Sequence, residues 1–113
     1  MKLPIITIFF HMLMLCSIAF ADGSLHETEI NGTVKSVDTR HKVKIEFINN
    51  SSNLVKLYWL DYKGKRRFYS WLPNNKNYVQ ETYLSHPWLV TDSKDNALDI
   101  YYPDTSKRTI IIR

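Results

Sequence analysis

The chain has 113 residues, 15 Lys and Arg against 11 Asp and Glu for a net charge of +4, and 44% hydrophobic residues. That length allows one core but not two, and so small and scattered a basic surplus excludes an extended nucleic-acid surface. The single cysteine, Cys16, excludes a disulfide framework.

Met1 to Ala21 opens with Lys2, runs apolar from Leu3 to Phe20 and ends on Ala19-Phe20-Ala21. This is the layout of a secretory signal peptide cut after Ala21. Pro4 and His11 inside the run, and the polar Asp22-Gly23-Ser24 after it, argue against a membrane anchor. Leu15 stands where a lipoprotein needs a small residue before Cys16. Cleavage removes Lys2 and Cys16 and leaves 92 residues with a net charge of +3. The expected product is a secreted domain that holds by its apolar core alone. Residues 22–36 are polar and without period, which predicts a flexible arm ahead of a domain at 37–113. Asn31-Gly32-Thr33 in that arm is an N-glycosylation acceptor triplet. Asn49-Asn50-Ser51 is another, but the Asn49 side chain is expected to bond its local backbone instead.

Val43, Ile45 and Phe47 alternate with Lys44 and Glu46, the period of a half-buried strand. Asn49 to Asn53 breaks it. Leu54 to Leu60 predicts a second strand with Val55, Leu57 and Trp59 on one face, and Tyr62-Lys63-Gly64-Lys65 a hairpin turn in which Gly64 takes a positive φ. Phe68–Trp71, Tyr78–Tyr83, Trp88–Thr91, Leu98–Tyr102 and Thr109–Ile112 complete about seven short strands, and no stretch keeps a helical period. The expected fold class is an all-β antiparallel β-sandwich.

All three tryptophans lie between Trp59 and Trp88, interleaved with Tyr62, Phe68, Tyr69, Tyr78 and Tyr83 and with the polar Thr82 and His86. Composition alone favours a core for such a stretch, and a few polar groups among aromatic walls also describe a binding pocket. Other chemistry is poorly supported. The histidines have no cysteine or carboxylate cluster at metal-ligand spacing, so no metal or cofactor is expected. A nucleophile at Ser70, Thr82 or Ser85 with His86 as base and Glu81 or Asp92 behind it lacks a nucleophile elbow and an oxyanion motif, so no enzyme is expected. The basic run Lys63, Lys65, Arg66 and Arg67 reads as a solvated turn, or as a steering patch or an inhibitor's contact surface.

Phe47-Ile48-Asn49-Asn50-Ser51, Trp59-Leu60, Gly64, Tyr69, Leu72-Pro73, Tyr83, His86, Trp88-Leu89 and Asp92 follow one another at spacings that resemble the β-domain of the von Hippel-Lindau tumour suppressor family. The resemblance is continuous from Phe47 to Asp92 and resumes at Leu98 to Pro103. It implies a module that holds an extended peptide bearing 4-hydroxyproline. By that resemblance Trp59, Tyr69 and Trp88 wall the pocket, Thr82 stands at the family's serine and His86 at its histidine to bond the proline hydroxyl, and Tyr83 borders the groove. Glu81 replaces a histidine and Pro87 a leucine. Residues after the last strand are too few for the helical domain that recruits elongin, so no elongin binding is expected. With the leader, the expected ligand is a hydroxyproline-bearing secreted protein, collagen-like chains among them. The alternative is a secreted structural or effector sandwich in which Thr82 and His86 are satisfied internally and no cleft opens.

Overall fold

The structure, a computed structural model, describes residues 23–113; the expected leader, Met1 to Ala21, lies outside them. One short helix, α1 (Glu27–Ile30), precedes seven strands: β1 (Lys42–Asn49), β2 (Val55–Leu60), β3 (Arg66–Leu72), β4 (Asn77–Tyr83), β5 (Trp88–Asp92), β6 (Ala97–Tyr101) and β7 (Arg108–Ile112). They form two sheets, ordered β4-β1-β7 and β3-β2-β5-β6. The all-β sandwich inferred from the sequence is therefore the fold. One pairing departs from a purely antiparallel arrangement: β7 returns beside β1 in parallel, with Phe47 against Ile110.

Alternation in the sequence explains the core. Ile45 and Phe47 from β1, Val55 and Leu57 from β2, Trp88 and Val90 from β5, and Ile110 and Ile112 from β7 point inward and bury together with Leu72. Period-2 side chains on facing sheets interdigitate in this way. Asn49 ends β1 fully buried, as its neighbours require. Its Oδ1 accepts from the Ser51 N–H at 2.9 Å and its amide donates to the carbonyls of Asn53 and Leu72, both at 2.8 Å. Those bonds close the β1–β2 turn and leave the Asn49 side chain enclosed, whereas Asn31 is exposed.

The segment expected to be a flexible arm is instead strapped across the outer face of the four-stranded sheet. Val34 buries with Leu60 and Leu89 in a second apolar cluster. The Ala97 N–H donates to the Ser24 carbonyl at 2.9 Å, and the Ser36 N–H to the Asp61 carbonyl at 3.0 Å. Arg66 donates through Nε to Glu29 Oε2 at 2.9 Å and through its other nitrogens to Glu29 Oε1 and to the Asp95 and Ser24 carbonyls. A polar, aperiodic sequence gave no sign of this, because the strap is held by one valine and by hydrogen bonds to partners far along the chain.

The basic hairpin is also less free than its sequence implies. Arg66 is committed to Glu29, and Arg67 Nε donates to Asp61 Oδ2 at 2.8 Å. Asp61 organises the turn itself, accepting at Oδ1 from the backbone N–H groups of Lys63 and Lys65. Gly64 has φ +76°, and a Cβ there would lie 2.9 Å from the Val34 carbonyl, so the turn needs glycine both for its conformation and for the strap passing over it.

Candidate functional site

Four separate pieces of local structure bring the predicted site residues together. Trp59 on β2 pairs directly across with Trp88 on β5, and side chains opposite each other in an antiparallel pair share a face. Tyr69 reaches the same place through an irregularity. In the β2–β3 ladder Tyr58 pairs with Phe68 but Leu57 pairs with Ser70, which leaves Tyr69 as the extra residue. Such a bulge re-aims a side chain, and the Tyr69 ring meets Trp88 edge-on at 4.8 Å between centroids. Thr82 on β4 lies opposite Val43 with its side chain turned inward. His86 sits in the turn after β4, where its backbone N–H donates to the Tyr83 carbonyl at 3.0 Å, and the buried Pro87 fixes the lead into β5.

Together Trp59, Tyr69, Thr82, Tyr83, His86 and Trp88 line one cavity of about 210 Å³, with Tyr62 and Glu81 completing its wall. That is several times the ~30 Å³ share of a liquid water molecule, and so gives room for a five-membered ring. β3 and β4, the edge strands of the two sheets, each contribute to its wall, through Tyr69 and through Glu81, Thr82 and Tyr83.

The imidazole of His86 is 5% exposed and points into the site. It stacks on Trp59 at 5.4 Å and 29°, and it is flanked by Tyr62 and Tyr83. Burial pushes its pKa below the usual histidine value of 6.5, although the Asp38 charge and the Val37 backbone pull the other way. At neutral pH the ring is therefore neutral, with one N–H and one acceptor nitrogen. Its Nε2 lies 3.3 Å from the Tyr62 hydroxyl.

Thr82 Oγ1 accepts from the Trp88 indole N–H at 3.0 Å. A hydroxyl carries one proton and two lone pairs, so Thr82 keeps its proton and one lone pair for a ligand. The Trp59 indole N–H donates to Ser36 Oγ at 2.8 Å, and Ser36 in turn donates to the Leu60 carbonyl at 2.6 Å. Both tryptophans are thus held at their nitrogens, and both line the cavity. Ser85 Oγ donates to the Val37 carbonyl at 2.7 Å, which pins the His86 turn to the strap.

Ser36 and Tyr62 are the two contributors that sequence reasoning missed. Ser36 belongs to the supposed arm, and no local pattern links it to Trp59, 23 residues on. Tyr62 does carry a sequence signal, an aromatic near Trp59, but its place in the hairpin turn Tyr62-Lys63-Gly64-Lys65 hides it. Among the described residues no group of three or more His, Cys, Asp or Glu is arranged to hold a metal. The site offers aromatic surface and hydrogen-bonding groups, and its one imidazole meets the Tyr62 hydroxyl at Nε2, with the Asp38 charge acting on the ring.

A family model for the VHL beta domain matches residues 34–102.

Proposed function

The chain belongs to the VHL beta-domain family, and from that premise we propose that it is a binding module for hydroxyproline-containing peptides or proteins. Domains of this family bind such peptides and are binding rather than catalytic units. The observation that carries the reading for this chain is that two polar groups, Thr82 with its proton and a lone pair unused and His86 in a single 3.3 Å contact with the Tyr62 hydroxyl, share one small aromatic-walled cavity.

The chemistry is complementary. A hydroxyl on a pyrrolidine ring accepts the Thr82 proton and donates its own to the neutral His86 nitrogen, while Trp59, Tyr69 and Trp88 hold the ring by shape. An unmodified proline desolvates both groups and returns neither bond. Each buried group left unsatisfied costs roughly 1–3 kcal/mol, so the pair separates the two rings by on the order of a hundredfold or more. The edge strands β3 and β4 leave backbone groups beside the pocket for an extended ligand, and Tyr83 borders its path.

The rival reading, a sandwich whose site residues only pack, draws support from the internal partners that Thr82 and His86 already have. The Trp88 indole uses only one lone pair of Thr82, the Tyr62 contact of His86 is a long one at 3.3 Å, and a filled core has no cavity beside them. The leader-like Met1 to Ala21 supports an encounter after export, with hydroxylated, collagen-like chains as ligands. Isothermal titration of the domain with matched peptides, one carrying proline and one 4-hydroxyproline, tests the reading. The hydroxylated peptide is expected to bind at least tenfold more tightly, and equal affinities would exclude the proposal.

A further inference from the structure

Tyr62 stands at the tip of the β2–β3 hairpin, half exposed, with its ring edge-on to both Trp59 at 5.6 Å and His86 at 5.4 Å. It lines the candidate cavity and also two further hollows. One, of about 370 Å³, is formed with Trp59, Asp61, Lys63 and Arg67, and the other, of about 360 Å³, with Asp38, Arg40, Lys42 and Tyr83. It is the residue common to all three, and it is carried on a turn and not within a strand.

The hydroxyl of Tyr62 lies 3.3 Å from His86 Nε2, one of the two ring nitrogens that the imidazole offers. A neutral imidazole has only one acceptor nitrogen. In the tautomer with its proton on Nδ1, Nε2 is that acceptor, and the Tyr62 hydroxyl donates to it. At 3.3 Å the contact is longer than the usual 2.7–2.8 Å of a good hydroxyl bond. It is long enough to be exchanged, yet close enough to keep the acceptor from being orphaned in an empty pocket.

We propose that Tyr62 is a specificity-determining residue that holds the acceptor nitrogen of His86 in the empty site and must yield it to the incoming ligand hydroxyl. The inference rests on the hydroxyproline reading above and adds a competitor inside the pocket. Its consequence is directional. Binding the hydroxylated ring exchanges one hydroxyl for another on Nε2, so part of the selectivity of Thr82 and His86 is offset by the protein's own tyrosine. An unmodified proline, which offers nothing to Nε2, leaves the Tyr62 contact in place.

The test is Tyr62→Phe, which keeps the ring against Trp59 and removes only the hydroxyl. In the ligand-free protein the ¹⁵N resonance of His86 Nε2 is expected to move on substitution, and an unmoved resonance would overturn the contact itself. In titrations, the variant is expected to bind the 4-hydroxyproline peptide about 2- to 10-fold more tightly than wild type, the range set by one neutral hydrogen bond. The matched proline peptide, which offers nothing to Nε2, is expected to bind no more tightly than to wild type. Unchanged or weaker binding of the hydroxylated peptide by Tyr62→Phe overturns the competition, because the hydroxyl would then be indifferent or a ligand contact. A wild-type domain without preference between the peptides removes the functional reading and the competition together, while the resonance arm still reports whether Tyr62 holds His86.

Discussion

Trp88 divides the molecule into two unlike regions. On one side it is part of the sealed core with Phe47, Leu57 and Val90, where the buried side chains are apolar and their positions follow strand alternation. On the other its ring wall and indole nitrogen serve Tyr69 and Thr82, where buried groups are polar and each is held by a partner from a different element. The core gains from area removed from water and is indifferent to direction. The pocket depends on directed bonds, and it keeps a void that the core would fill. The same class of residues therefore does opposite work on the two sides, closing space on one and defining it on the other.

The difference is broken most severely from the core. Phe47 is fully buried, and Phe47→Ala is expected to cost about 3–5 kcal/mol, measured by urea unfolding. Peptide selectivity in this variant should disappear only together with the fold, since Phe47 does not line the pocket.

The strap gives the next effect. Glu29 and Arg66 form an ion pair with side chains only 5% and 16% exposed, and Glu29→Gln leaves the guanidinium short of its counter-charge. A loss of roughly 2–4 kcal/mol is expected. Burial alone would raise the Glu29 carboxyl, but the Arg66 hydrogen bonds and the His26 N–H outweigh it and hold the pKa below 4.5. A lowered carboxyl pKa contributes stability in full above the unfolded value and loses it as pH falls through the folded one. The gap between wild type and Glu29→Gln in urea midpoint should accordingly be wide at pH 7 and narrow below pH 4.5; a gap independent of pH would remove the ion pair as its cause.

Changes within the pocket should invert the pattern seen for Phe47. Thr82→Val keeps the shape, but it removes the ligand's donor and leaves the Trp88 indole N–H without its acceptor. Affinity for the hydroxylated peptide is expected to fall by roughly 1–3 kcal/mol, against about 1 kcal/mol in stability. Thr82→Ser should restore both. Ser36→Ala acts one step further out, freeing the Trp59 indole, and should weaken the proline and hydroxyproline peptides alike by about 1 kcal/mol or less.

The two regions were not equally legible in the sequence. Strand alternation in Val43-Ile45-Phe47 and Val55-Leu57-Trp59 marked the core directly, because burial on one face of a strand has a period of its own. The cavity lining was reached only through the family resemblance, since Trp59, Tyr69, Thr82 and His86 converge by way of a ladder irregularity and a turn, neither of which has a periodic signature. The strap was misassigned for the opposite reason. Its attachments, Ser24 to Ala97, Glu29 to Arg66 and Ser36 to Leu60, are long-range and polar, so their local sequence looks like that of a free arm. The parallel β1–β7 pair was missed because strand periods do not show which way a partner runs.

The smallest effect sharpens the comparison most, because it concerns a single proton. His86 is held below its usual pKa chiefly by burial, with Asp38 and the Val37 backbone opposing. A histidine whose folded pKa lies below its unfolded value makes the unfolded chain bind more protons, so stability declines as pH drops below about 6.5. Protonation also converts Nε2 from acceptor to donor. A ligand hydroxyl then loses its acceptor, whereas a plain proline loses nothing. Selectivity between hydroxyproline and proline peptides should fall on acidification through the lowered His86 pKa while urea midpoints decline only slightly. The core contains no group that titrates in that range, so a loss of selectivity that tracks unfolding, or that persists unchanged in His86→Gln, would place the sensitivity outside the pocket.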